Sequence, residues 1–105
     1  MPPNSGSQLQ AAVLQQTISI GVEADEWFNY QSGVFSDPKC GDQLDHGVLL
    51  VGYGVDKPSG KQFWLIKNSW GTSWGEKGYI RILRDDTQKV QLCGLTVEGE
   101  YPNIK

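Results

Sequence analysis

Apolar residues recur along the chain in two rhythms. In "SGSQLQAAVLQQ", Leu9, Ala12, Val13 and Gln16 fall at helical spacing, and Ser5 followed by Gln8 fits the capping box that opens a helix. From "TISIGVEA" the period drops to two, with Ile18, Ile20 and Val22 on one face, which predicts a strand. "DEWFNYQSGVF" predicts a short helical turn that packs Trp27, Phe28 and Tyr30 and stops at Gly33, and "SDPKCGD" reads as loop. "HGVLLVGYGV" is almost uninterrupted apolar sequence, as in a strand buried on both faces. After the surface turn "DKPSGK" come a strand in "QFWLIKNSW" and another in "GYIRILRD", whose alternation predicts one wet face. "CGLTVEGEYPNIK" reads as a final extended segment.

One helix followed by several antiparallel strands predicts an α+β fold or a small half-open barrel. At 105 residues, with no internal repeat and no low-complexity linker, the chain reads as a single domain over 1–105. Thirteen glycines predict many tight turns, and the four Trp, four Tyr and three Phe supply much of the apolar bulk. A net charge of −3 without a Lys/Arg cluster argues against nucleic-acid partners and against binding to a membrane surface. No apolar run reaches the length of a spanning helix, and the polar "MPPNSGSQLQ" lacks the apolar core of an export signal. No metal and no cofactor is expected.

Candidate chemistry starts from His46, the single histidine. It stands at the mouth of the apolar run, after Asp45, where a strand edge would hold the ring as a general base requires. Asn68 closes the next apolar run in the same manner. If the two runs pair around "DKPSGK", His46 and Asn68 meet at one end of the sheet. The amide oxygen could then accept from one imidazole N–H and leave the other nitrogen free. Trp70 could shield that bond from water. The plainer alternative makes Asn68 a turn residue and the tryptophans core. The two cysteines, Cys40 and Cys93, are compatible with one disulfide or with two free buried thiols.

"CGDQLDHGVLLVGYG" and "FWLIKNSWGTSWGEKGYIRI", with "LQAAVLQQTISIGVEA" and the terminal "CGL…YP", resemble the C-terminal, right-hand half of the papain-like cysteine proteases, the cathepsin L/papain group. The resemblance implies the right-hand domain fold, an antiparallel half-barrel sheet with an N-terminal helix. It implies that His46 pairs with a catalytic thiolate and protonates the leaving amine, that Asn68 orients the ring, and that Trp70 covers their bond. It places Trp74 on the leaving-group side of the cleft, makes Asp45 a minor electrostatic contributor, and pairs Cys40 with Cys93 in a structural disulfide. By the same resemblance, Gly21, Leu44 and Gly47 line a wide substrate pocket with Glu98 at its floor, where a carboxylate suits a basic side chain.

Nothing like the family's "CGSCW" nucleophile segment occurs in the chain. Without a nucleophile there is no covalent route, so the chain by itself is expected to be inactive. The resemblance implies that it is the base-bearing half of a two-domain cysteine endopeptidase, excised or recorded as a fragment. Its implied partners are peptide or protein substrates, the missing N-terminal half, and possible further copies of itself through a bare cleft face. A lysosomal, vacuolar or secreted setting is implied too. The alternative is a non-catalytic binding or inhibitory module derived from such a half, which would have no need of a His–Asn pair.

Overall fold

The computed structural model describes residues 6–87, 91–95 and 99–100. Helix α1 (Gly6–Val13) leads into strand β1 (Ile18–Val22), then β2 (Val34–Phe35), β3 (His46–Asp56), β4 (Lys61–Lys67) and β5 (Tyr79–Leu83). A 3₁₀ turn at Leu92–Gly94 precedes the short β6 (Gly99–Glu100). The six strands form one open sheet in the order β2-β5-β4-β3-β1-β6. The helix occupies the expected segment but stops at Val13, where the Gln15 and Gln16 amides both turn back to the Ala12 carbonyl. Ser5 of the expected capping box lies outside the described residues.

The core is built from cross-strand rows. Ile18 pairs with Leu50, Leu50 with Ile66, and Ile66 with Ile80, which runs one row of fully buried branched side chains across four strands. Such opposed pairs are the unit of sheet stabilisation. A second row joins Tyr53, Trp64 and Ile82. The Trp64 indole N–H donates to Gln91 Oε1 at 3.2 Å, so the large buried ring leaves no unsatisfied donor. The Cys40–Cys93 disulfide is formed, and it ties the loop before β3 to the 3₁₀ turn. By loop entropy a closure of this length contributes about 4 kcal/mol.

Three expectations change. The sheet is mixed, because β2 runs parallel to β5, with Val34 opposite Arg81. The long connection between them, through β3 and β4, is what permits a parallel neighbour. "DEWFNYQSGVF" makes successive turns and then β2, and it does not pack all three aromatics: Trp27 and Tyr30 are buried, while Phe28 is 70% exposed. The apolar run of β3 is not buried on both faces, since Val48 and Leu50 are buried but Leu49 is 37% and Val55 53% exposed. Its unbroken apolar reading has a local cause. The register against β4 shifts between Leu50 and Gly52, a β-bulge at Val51, so the inward phase passes from Val48 and Leu50 to Tyr53.

Arg81 pins the far end of the sheet. Its guanidinium binds Asp56 Oδ1 at 2.7 Å and forks onto both Glu76 oxygens at 2.8 and 2.9 Å, and Glu76 Oε2 also accepts the Gly33 amide. Hydrogen bonds from Ser59, then Arg81, hold the Asp56 carboxyl below its ordinary value. Burial pushes Glu76 up, but Arg81 and the Gly33 amide outweigh it and leave the carboxyl lowered.

Truncation of Leu50 to alanine is expected to cost about 2–5 kcal/mol in urea unfolding, the range for buried large-to-small changes. Both carboxyl values are lower folded than unfolded, so their stabilisation is complete above the ordinary carboxylate range, begins to fade as pH enters that range and is lost as pH falls through the lowered folded values. The thermal unfolding midpoint should therefore fall steeply on acidification through that window, and less steeply in Arg81→Met. Equal slopes in the two proteins would refute the assignment.

Candidate active site

β3 and β4 carry their buried rows to the same end of the sheet, and polar residues extend them there. His46 precedes Val48 and Leu50 on the inward phase of β3, opposite Val22 of β1. Asn68 follows Trp64 and Ile66 just beyond β4, and Leu49–Lys67 is the last ladder pair before it. The two side chains meet: His46 Nε2 lies 2.7 Å from Asn68 Oδ1. Asn68 is buried and His46 half-buried.

The direction of that bond follows from a neighbour. Asn68 Oδ1 also accepts the Ser69 amide at 2.8 Å, and a backbone N–H can only donate. The oxygen therefore faces both partners, the amide orientation is fixed, and the neutral imidazole carries its proton on Nε2. Nδ1 keeps its lone pair. Asn68 Nδ2 is buried and has no hydrogen-bond partner among the described residues, where the amide is held through its oxygen.

Aromatic rings confine the imidazole. Trp70 lies across it at 5.2 Å between centroids with planes tilted by 32°, and Trp27 meets it at 6.3 Å and 89°. Trp74 stacks on Trp27 at 6.0 Å, meets Trp70 at 5.2 Å, and donates its indole N–H to the Trp27 carbonyl at 3.0 Å. Beside Trp74 opens a cavity of about 510 Å³ lined by Phe28, Asn29, Tyr30, Gln31, Ser73 and Gly75. Asp45 does not bond the ring. Its carboxylate accepts the Ala24 amide at 3.0 Å, and this bond, then one with Asp25, lowers its pKa, with His46 a lesser influence.

The remaining expected site residues divide. Gly21 and Gly47 are direct cross-strand partners, and a Cβ on Gly47 would meet nothing within 4 Å, so the strands leave room there. A cavity of about 430 Å³ runs past Gly47 to Leu49, Asn68 and Ser69. Leu44 lies on the loop, its Cδ2 3.0 Å from where a Gly94 side chain would begin. Glu98 lies outside the described residues. Trp27 and Phe28 went unrecognised as parts of this cluster, although Phe28 stacks on Trp70 at 4.9 Å and 10°. The adjacent pair "WF" was the available signal, but nothing local says that it lies beside His46.

The sequence profile described as papain family cysteine protease matches residues 1–103. The chain belongs to the papain family. Among curated relatives, cysteine proteinase EP-B 1 of Hordeum vulgare is 48% identical over 97% of this chain and 28% of its own length. Cysteine proteinase RD21A of Arabidopsis thaliana is 46% identical over 97% of this chain and 22% of its own. Among solved structures, bromelain from Ananas comosus bound to the E64 inhibitor superposes with a TM-score of 0.89 at 44% identity, covering 99% of this chain and 48% of bromelain. A recombinant stem bromelain precursor gives 0.90 at 42%, covering 99% and 34%. The chain thus spans about a quarter of the curated relatives named here. The papain-like half-domain fold and the disulfide agree with the expectation from the motifs.

The fixed amide predicts a spectroscopic result. In the ¹⁵N-labelled chain at alkaline pH, the two nitrogens of the single histidine should be widely separated, with Nδ1 pyridine-like. Asn68→Ala should bring them together as the tautomers mix. Asn68→Asp, which keeps an acceptor oxygen, should hold them apart.

Proposed function

We propose that this chain supplies the general acid–base half of a cysteine endopeptidase, with the nucleophilic cysteine provided by protein outside these residues. The observation that carries the reading is the His46–Asn68 bond, with Asn68 Oδ1 fixed by the Ser69 amide. It leaves Nδ1 as the basic nitrogen beside a sheet end, where a thiol could approach. In the proposed cycle Nδ1 takes the thiol proton, the thiolate attacks the peptide carbonyl, and the imidazolium returns the proton to the leaving amine. The acyl-enzyme is then opened by water with His46 again as base. Asn68 holds the ring, Trp70 excludes water from their bond, and Trp74 borders the leaving-group side.

Both cysteines are engaged in the disulfide, so neither is a nucleophile, and the chain alone should hydrolyse no peptide at an enzymatic rate. On this reading the Gly21–Gly47 pair, with Leu44 and Glu98, forms a broad pocket for a substrate side chain. The missing half would cover the outward face of β3, where Leu49 is exposed, which gives a reason for the continuous apolar run. Left bare, the cleft face around His46, Trp70 and Trp74, with the exposed Phe28 beside it, favours self-association. The disulfide suits a secreted, vacuolar or lysosomal setting.

Mixing the chain with a separately produced N-terminal half of a papain-family protease tests the proposal with a fluorogenic dipeptide substrate. Neither part alone should turn over. The mixture should give E-64-sensitive hydrolysis, lowered about 10²–10⁴-fold by His46→Ala. E-64-sensitive turnover by the 105-residue chain alone would refute the inactivity, and an unimpaired His46→Ala mixture would refute the assigned base.

A further inference from the structure

Trp27 is among the largest fully buried side chains, and packing alone accounts for a buried tryptophan. Its contacts are more directed than packing requires. At one end the indole N–H donates to Cys93 Sγ at 3.4 Å, a buried bond to the disulfide. The ring also meets His46 at right angles, 6.3 Å between centroids. It also stands edge-on to Trp70 at 6.3 Å and stacked with Trp74 at 6.0 Å. Its carbonyl accepts the Trp74 indole N–H, and its amide is bonded to the Ala24 carbonyl at 3.1 Å. The indole N–H, the ring and the backbone of Trp27 are therefore all engaged.

The hydrogen bond to Asn68 does not by itself hold an imidazole. A single bond leaves the ring free to turn about its Cβ–Cγ axis, which carries Nε2 out of line with the oxygen, weakens the bond and lets the proton pass to Nδ1. Trp70, tilted by only 32° from the ring plane, limits the swing on one side. Trp27, which touches both rings, adds a second contact from a different direction, perpendicular to the imidazole at 89°. Trp27 must itself be held in place, and the N–H···S bond adds a directed anchor at its Nε1 edge to the packing around it. Phe28 also stacks on Trp70, so adjacent residues of one loop both contact that ring.

We infer that Trp27 is a positioning residue for His46 and that the Cys40–Cys93 disulfide anchors it through the indole N–H. The disulfide thereby bears on the imidazole in addition to closing a loop. The catalytic meaning of this rests on the reading of His46 as the base, but the structural coupling does not. A phenylalanine at position 27 would keep an aromatic wall and lose the anchor; a leucine would lose both.

The single histidine makes the test direct: the two imidazole ¹⁵N shifts of the labelled 105-residue chain at alkaline pH, in wild type, Trp27→Phe, Trp27→Leu and Leu50→Ala. Leu50 is buried in the central row away from the ring and controls for general destabilisation. The wild-type nitrogens should be well separated and those of Trp27→Leu should converge. Trp27→Phe should fall between them, and Leu50→Ala should match wild type. Wild-type shifts in Trp27→Leu, or equal convergence in Leu50→Ala, would overturn the positioning role. If Trp27→Leu does not fold, Trp27→Phe decides: wild-type shifts there would overturn the disulfide anchor. Failure of the complementation assay with these shift changes intact would count against the proposed catalytic function and leave the coupling standing.

Discussion

The pairing of β3 with β4 is the constraint on which the site depends, and its decisive detail is one unpaired residue. Counted from the turn, Asp56 faces Lys61 and Tyr53 faces Trp64, so Tyr53 shares the inward face with Trp64. Continued without interruption, that register would turn residues 47, 49 and 51 inward and put His46 on the outer face. The bulge at Val51 reverses the phase, so that Leu50 faces Ile66 and His46 ends the buried row. A single inserted residue flips every side chain beyond it, which is why bulges recur beside functional positions. Here it sets a histidine against an asparagine under tryptophan.

Around that pairing the molecule separates rigidity from chemistry. The row Ile18–Leu50–Ile66–Ile80 and the Tyr53–Trp64–Ile82 row are dry and interlocked, and Arg81 ties the hairpin to Glu76 at the far end. The His46–Asn68 pair sits at the opposite end, where β3 begins and β4 stops. Its loops are held by specific bonds. The Glu23 carboxylate accepts the Gly41 and Gln43 amides at 2.8 and 3.0 Å, and the Asp45 amide is bonded to the Val22 carbonyl. A Cβ on Gly41 would stand 2.9 Å from that carboxylate, so a side chain there would displace it. Precise placement of a base is worth more to a reaction than its strength alone, because misplacement by an ångström can cost orders of magnitude in rate.

Much of this was legible in the sequence. The alternation in "TISIGVEA" and "GYIRILRD" placed β1 and β5, and the turn "DKPSGK" implied the hairpin that brings His46 near Asn68. Those readings held because local propensity and burial agreed along each segment. The readings that failed lay where they diverge. The two residues of β2 cannot be recognised without their parallel partner β5, and the exposure of Phe28 is set by a distant Trp70. The β3 run looked buried on both faces because a bulge and exposed apolar residues together mimic a continuous apolar strand.

The sequence by itself determined the element types, the family resemblance and the identities of the polar residues that close two apolar runs. It also determined that neither cysteine sits in a nucleophile-like context. Periodicity and residue chemistry act over a few positions, and that range suffices for these. The tertiary structure alone decided on which face His46 lies, which imidazole nitrogen carries the proton, and that Trp27 spans from the disulfide to the ring. Each of these is fixed by groups far apart in sequence, through a register shift, a shared acceptor and a buried contact that no local pattern encodes.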